Sequence, residues 1–211
     1  MLRYLSIAIA AVGLSACAFG DETLNVAYDV SSAKVGVLSE AAPATIHVED
    51  VADKRVEKMR VGYKRNGFGQ KTADILLSKP APEVVKEALE TVLQKNGHIL
   101  GDDSSPLALK TDLTNFWFDA KTGLVTVEFY GEVQAEVSLV DTASGATLYS
   151  EVFDGYYSEK TGGGLRKTWE RIMNAALDDF AAKVNLSSGL KDAIAAAEAS
   201  AADDEGAMPS S

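Results

Sequence analysis

The run from Leu124 to Val140 alternates almost without a break, and this pattern limits the fold more than anything else in the chain. Val125, Val127, Phe129, Gly131, Val133, Ala135, Val137 and Leu139 share one side. Thr126, Glu128, Tyr130, Glu132, Gln134, Glu136 and Ser138 share the other. A period of two over such a length predicts a long strand with one buried face, which needs neighbouring strands and a cover for its apolar side. Asp119-Ala120-Lys121-Thr122-Gly123 precedes it and Asp141-Thr142-Ala143-Ser144-Gly145 follows it. In each, Asp can cap a turn and Gly can take the left-handed position. The flanking segments Leu107 to Phe118 and Thr147 to Tyr157 are therefore predicted to pair with the long strand as an antiparallel meander.

Two amphipathic helices supply the cover. After Pro80-Ala81-Pro82, the residues Val84, Val85, Ala88, Leu89, Val92 and Leu93 recur at spacings of three and four, and Gly97 ends the helix. A second helix is predicted from Gly164 to Val184, with Leu165, Trp169, Ile172, Met173, Ala176, Phe180, Ala181 and Val184 on one stripe. A strand is expected near Thr45 to Val51, with His47 turned to solvent. Asp53 to Gln70 reads as a loop or loose hairpin around Asn66-Gly67, and Ala73 to Leu77 as a short strand. This order predicts an α+β fold, a two-layer sandwich with both helices packed on one face of a largely antiparallel sheet. The boundaries are residues 1–16 as a leader, 17–43 as tether and first extended segment, 44–185 as the folded domain, and 186–211 as an Ala-rich acidic tail, a weak helix or disordered.

Anchorage is written at the N-terminus. Arg3 precedes the apolar stretch Leu5 to Leu14, about a dozen residues, which is shorter than the roughly 20 needed to cross a bilayer. Leu14-Ser15-Ala16-Cys17 resembles the bacterial lipobox, which implies cleavage before Cys17 and covalent lipid on its sulfur; no other cofactor is expected. Cys17 is the only cysteine, so its acylation would leave no thiol for a disulfide. Ala18, rather than Asp, follows it, which by the same resemblance implies the outer membrane, on the periplasmic face. Loss of Arg3 with the leader takes the formal net charge from −11 to −12. So acidic a chain is expected to be repelled by anionic bilayers and by nucleic acid, and nucleic acid is excluded as a partner.

No catalytic constellation emerges. The two histidines, His47 and His98, lack a paired nucleophile and orienter, and with a single Cys they offer no zinc spacing. Gly62 to Thr72 departs from a phosphate loop because Gln70 stands where the motif needs glycine. Its Lys64, Arg65 and Lys71 form a local positive patch suited to a phosphate group or an acidic partner. Asp53-Lys54-Arg55 reads as a solvated turn or a local ion pair. Glu128, Glu132 and Glu136 on one strand face leave open a glycan hydrolase. Phe116, Phe118, Tyr130, Tyr149, Phe153 and Tyr157 fall on alternations opposite to Leu107, Leu113, Val127, Leu148 and Val152, unless a bulge near Asn115 reverses the register. They form either an aromatic binding patch on the face without helices or a second small core under a loop or the N-terminal segment.

Taken together, the early extended segment, the Asp53-Lys54-Arg55 turn, the helix ending in Gly97, the Leu107 to Leu113 strand, the long alternating strand and the Trp169 helix resemble the YajG family of bacterial lipoproteins. The resemblance covers Leu24 to Val184; the segment after Asn185 extends beyond it. It implies a lipidated, non-enzymatic envelope protein and brings no active site with it. The expected function is a non-catalytic, outer-membrane-anchored module that binds a periplasmic protein or envelope component. A cell-wall glycan hydrolase and a self-assembling structural subunit, a homo-oligomer, are the alternatives.

Overall fold

The computed structural model describes residues 20–31, 33–123, 126–161 and 165–206. The leader, Cys17, Leu124, Val125 and Gly164 lie outside them. The described elements run β1 (Glu22–Leu24), a 3-10 turn (Val37–Glu40), β2 (Thr45–Val48), β3 (Ala52–Asp53), β4 (Gly62–Arg65), β5 (Lys71–Leu77), α1 (Ala81–Lys95), β6 (Ile99–Leu100), β7 (Leu107–Thr122), β8 (Val127–Asp141), β9 (Thr147–Thr161), α2 (Arg166–Asn185) and α3 (Ser188–Gly206).

β7, β8 and β9 form the predicted antiparallel meander, in register from Leu107↔Asp141 to Thr122↔Val127 and from Val140↔Thr147 to Val127↔Thr161. The turn between β8 and β9 follows its sequence. Asp141 accepts from the Ser144 N–H and hydroxyl, and Gly145 sits at φ +72°. The other expected turn does not start at Asp119. β7 continues to Thr122 because Asp119 is gripped by Arg65 and Lys121 stands opposite Glu128 on the ladder. On its second edge β7 is lined in succession by β2, β3 and β4, all parallel to it. β5 returns antiparallel to β4, and β1 adds parallel to β5. The result is a mixed, largely antiparallel open sheet with three helices.

Alternation carries Phe129, Val133, Ala135, Val137 and Leu139 into the core. They meet Ile172, Met173, Ala176 and Phe180 of α2, and α1 packs beside α2 through its own buried stripe. Burial of each such aliphatic or aromatic side chain contributes about 1.5–3 kcal/mol, and with no disulfide this is the main source of stability. Leu165 departs from the expected stripe: it precedes α2 as its N-cap and is exposed.

Two segments do more than the sequence suggests. Residues 20–31 and 33–43 contribute to the sheet and core. β1 pairs with β5, and Leu24, Val26 and Leu38 are buried. Side chains of α2 fasten the strand's continuation, Glu170 accepting from the Asn25 N–H and Asn174 from the Ala27 N–H. Further on, Asn96 accepts from the Gly36 N–H and donates to Asn185, which donates to the Lys34 carbonyl. The segment expected to be a weak helix or disordered forms α3. Ser187 caps it by accepting from the Leu190 N–H, and Leu190 and Ile194 are fully buried. Leu190, Ala193, Ile194 and Ala197 follow the i, i+3, i+4, i+7 spacing of a buried helical edge, a signal diluted in sequence by the surrounding alanines.

Candidate binding surface

The aromatic surface is present, but composed differently from the expected one. A bulge at Thr114 separates the pairs Leu113↔Ala135 and Asn115↔Gln134. One extra residue reverses the side to which every later side chain points. Phe116 and Phe118 therefore enter the core, each 1% exposed, and Phe118 stacks on Phe129 at 5.9 Å while Trp169 lies tilted against both rings, 5.6 Å from Phe118 and 6.3 Å from Phe129. Phe153 is buried as well. Tyr149 and Tyr157 stand opposite Leu139 and Gly131, on the side of α2. Tyr149 closes the junction of α2 and α3, its hydroxyl bonded to Glu151 and to Ser187. Of the expected patch, only Tyr130 lies on the face turned away from α2.

What joins Tyr130 there is Tyr63, Trp117 and Tyr156. Gly62 stands opposite Phe118, where a Cβ would come within 2.3 Å of the Phe118 carbonyl oxygen. This close approach of β4 to β7 puts Tyr63 beside Trp117, edge-to-face at 5.5 Å. Tyr130 stacks on Tyr156 at 6.2 Å across β8 and β9. Cations sit on both pairs: the Lys71 ammonium 3.7 Å from the Tyr63 ring centre, the Arg60 guanidinium at 5.2 Å, and the Lys121 ammonium 4.6 Å from Tyr130. Between them Arg65 binds Asp119 through two bonds, 2.6 and 2.7 Å. Burial alone raises the Asp119 carboxyl, but the Arg65 bonds and the Ala120 N–H outweigh it and hold it below the usual carboxylate range. The face thus offers fixed aromatic rings with paired charges among them. The only signal for it in the sequence was the parity of Trp117, legible once the bulge is placed.

The remaining candidates are engaged in local contacts. Glu132 accepts from Asn115 and Glu136 from Ser150 on this open face. Arg55 closes on Asp53 through two bonds, 2.9 and 2.8 Å. In the Gly62 to Thr72 hairpin, Asn66 accepts from the Phe68 and Gln70 N–H groups. Among the described residues, no cluster of His, Cys, Asp and Glu could hold a metal ion. His47 is half-buried and meets Asp103 at 3.1 Å.

His98 is a core residue. Its Nδ1 accepts from the Ala44 N–H and its Nε2–H donates to the Leu38 carbonyl, both at 3.2 Å. Burial holds its pKa below the ordinary value against the opposing pull of the Leu38 carbonyl and Glu198. The unfolded chain takes up this proton near pH 6.5, whereas the native ring does so only at lower pH. The contribution of His98 is therefore complete above about pH 6.5 and declines as pH falls from there toward the folded pKa. Thermal denaturation is expected to give a lower Tm at about pH 5 than at about pH 7, with a smaller difference in His98→Gln. An unchanged difference in that variant would rule out His98 as the source.

The face turned away from α2 carries no cover among the described residues. No helix among them is long and apolar enough to cross a membrane. No family model matches the sequence, and no curated protein matches it. Among solved structures, the chain is similar to a Xanthomonas campestris protein of the DUF330 family, at 11% identity over 82% of this chain and 95% of that one, with a TM-score of 0.54. It is also similar to a Helicobacter pylori protein assigned as a neuraminyllactose-binding hemagglutinin homolog, at 12% identity over 82% of this chain and all of that one, TM-score 0.50. A minor lipoprotein from Acinetobacter baumannii aligns at 11% identity over 67% of this chain and 89% of that one, with a TM-score of 0.41. What the first two likenesses show is a shared α+β fold.

Proposed function

We propose that this chain is a non-catalytic lipoprotein of the YajG type, anchored through Cys17 in the outer membrane, that binds an envelope component in the periplasm. On this reading the helices form one layer and the sheet the other, and the sheet face opposite α2 is the contact surface. The observation that carries it is the cluster Tyr63, Trp117, Tyr130 and Tyr156, fixed by ring–ring and cation–ring contacts on an open face. Rigid aromatics lose little rotamer freedom on docking and are enriched where binding energy concentrates. On the same face Glu128 and Glu132 flank Tyr130 along β8, and Glu132 and Glu136 are tied to Asn115 and Ser150, which favours a contact surface over glycosidic chemistry.

A photo-crosslinking side chain at Tyr156, used in the intact envelope, is expected to give a discrete adduct, and one at Gln94 on α1 none. Trp117→Ala should reduce the Tyr156 adduct about tenfold or more, the usual effect of removing an aromatic anchor. Equal adducts from both positions, or indifference to Trp117→Ala, would overturn this assignment of the surface.

A further inference from the structure

One end of the sheet gathers features that belong together only in three dimensions. β5 runs antiparallel to β4, and β1 runs parallel to β5, so the residues before Glu22 head toward the tip of the β4–β5 hairpin. The Lys64 ammonium holds the Gly20 carbonyl there at 2.9 Å. β4 is parallel to β7, which places the end of β7, the start of β8 and the end of β9 at the same level. The start of α2 belongs to this end as well: a cavity of about 220 Å³ is lined jointly by Asn66 and Gly67 of the hairpin, Val127 of β8 and Trp169.

This end carries Phe68, 92% exposed at the hairpin tip, and Leu165, 81% exposed before α2. Exposed Lys71, Lys121, Lys160, Arg166 and Lys167 are grouped about them. Of the carboxylates nearby, Asp119 and Glu159 are half-buried and held by Arg65 and Arg171, Glu128 faces Lys121 and Lys160 on the ladder, Glu22 and Glu170 lie against Arg166, and Asp21, which is exposed, accepts from the Asp74 N–H. At the opposite end lie Asp102, Asp103, Asp141 and Glu198, so an acidic protein is polarised along its strands. Cys17 precedes Gly20 by three residues, a reach of roughly 10 Å even when fully extended.

We infer that this end is a membrane-docking surface: Phe68 and Leu165 enter the headgroup region of an anionic phospholipid bilayer while the surrounding cations meet its phosphates. The inference rests on the proposed acylation of Cys17, since an acyl chain in the leaflet brings Gly20, and with it the hairpin tip, within about 10 Å of the surface. Aromatic and aliphatic tips flanked by basic residues are the chemistry that partitions into such an interface. Each basic side chain near an anionic surface raises occupancy roughly fivefold. Docked in this way, the strands stand off the membrane and the face bearing Trp117 and Tyr130 looks sideways.

The test uses the acylated chain reconstituted in vesicles of phosphatidylethanolamine and phosphatidylglycerol, with an environment-sensitive fluorophore on Phe68→Cys. Met59→Cys is the comparison: it is as apolar and 83% exposed, but lies against Leu76 and Leu77 at the far end of β5. The label at 68 is expected to shift to the blue and to be quenched by spin-labelled lipid several-fold more than the label at 59. Lys121→Glu combined with Lys160→Glu should diminish that quenching while the protein still floats with the vesicles. If an acylated, floating protein shows equal quenching at 68 and 59, the docking inference is overturned and the anchor stands. A chain whose intact mass lacks acyl groups overturns the anchorage reading and this inference with it.

Discussion

Gly155→Ala is expected to destabilise the folded domain by about 3 kcal/mol, at the upper end of what overpacking a core costs. A Cβ at Gly155 would lie 2.1 Å from the Ala176 carbonyl oxygen and 2.6 Å from both the Phe180 backbone nitrogen and its Cβ. Two of these three atoms are helix backbone, so no rotamer change relieves the clash; α2 has to lift off β9. Lifting it opens gaps around Ile172, Met173 and Phe180, all of them fully buried. In a domain of this size each kcal/mol is worth roughly 2–4 °C in Tm, so a fall of about 6–12 °C is expected in thermal denaturation. Gly67→Ala is the control, because nothing lies within 4 Å of a Cβ there. If both substitutions left Tm alike, α2 would not pack on β9 as closely as described.

Replacement of Cys17 by Ser is expected to remove the protein from the outer-membrane fraction almost completely. Serine offers no thiol for lipid transfer, so the chain should persist as a precursor still carrying residues 1–16. Each buried methylene contributes about 0.8 kcal/mol to membrane affinity, and two or three long acyl chains make an anchor that no exposed side chain replaces. Fractionation by flotation with intact mass measurement reads both consequences. A Cys17→Ser protein that still matures to the shorter form and floats with outer membranes would sink the lipobox reading.

How far the fold could be read in advance varied with the kind of signal. The β7–β8–β9 meander, the Asp141–Gly145 turn and the end of α1 at Gly97 were legible because each depends on neighbours in sequence. Gly97, at φ +87°, is a local necessity that a glycine announces. By contrast, the bulge at Thr114 leaves no compositional mark. Either register of Phe116-Trp117-Phe118 exposes something aromatic, and the choice is made by Trp169 and Phe129, which close on Phe118 from elsewhere in the chain. The expected patch therefore named Phe116 and Phe118 and missed Trp117 and Tyr63. The roles of residues 20–43 and of α3 were hidden for the same reason, since their fixing contacts are Glu170, Asn174, Asn185 and the core around Leu38, far away in sequence.

By itself, then, the sequence determined the α+β class, the long half-buried strand and the two amphipathic helices, because periodicity and turn chemistry are properties of adjacent residues. Tertiary structure decided which aromatics face solvent, that the Ala-rich segment joins the core, and that the N-terminal segment meets the hairpin tip and the start of α2 at one end of the sheet. The physical reason is that a one-residue bulge and a distant packing partner change the direction of side chains without changing their pattern along the chain.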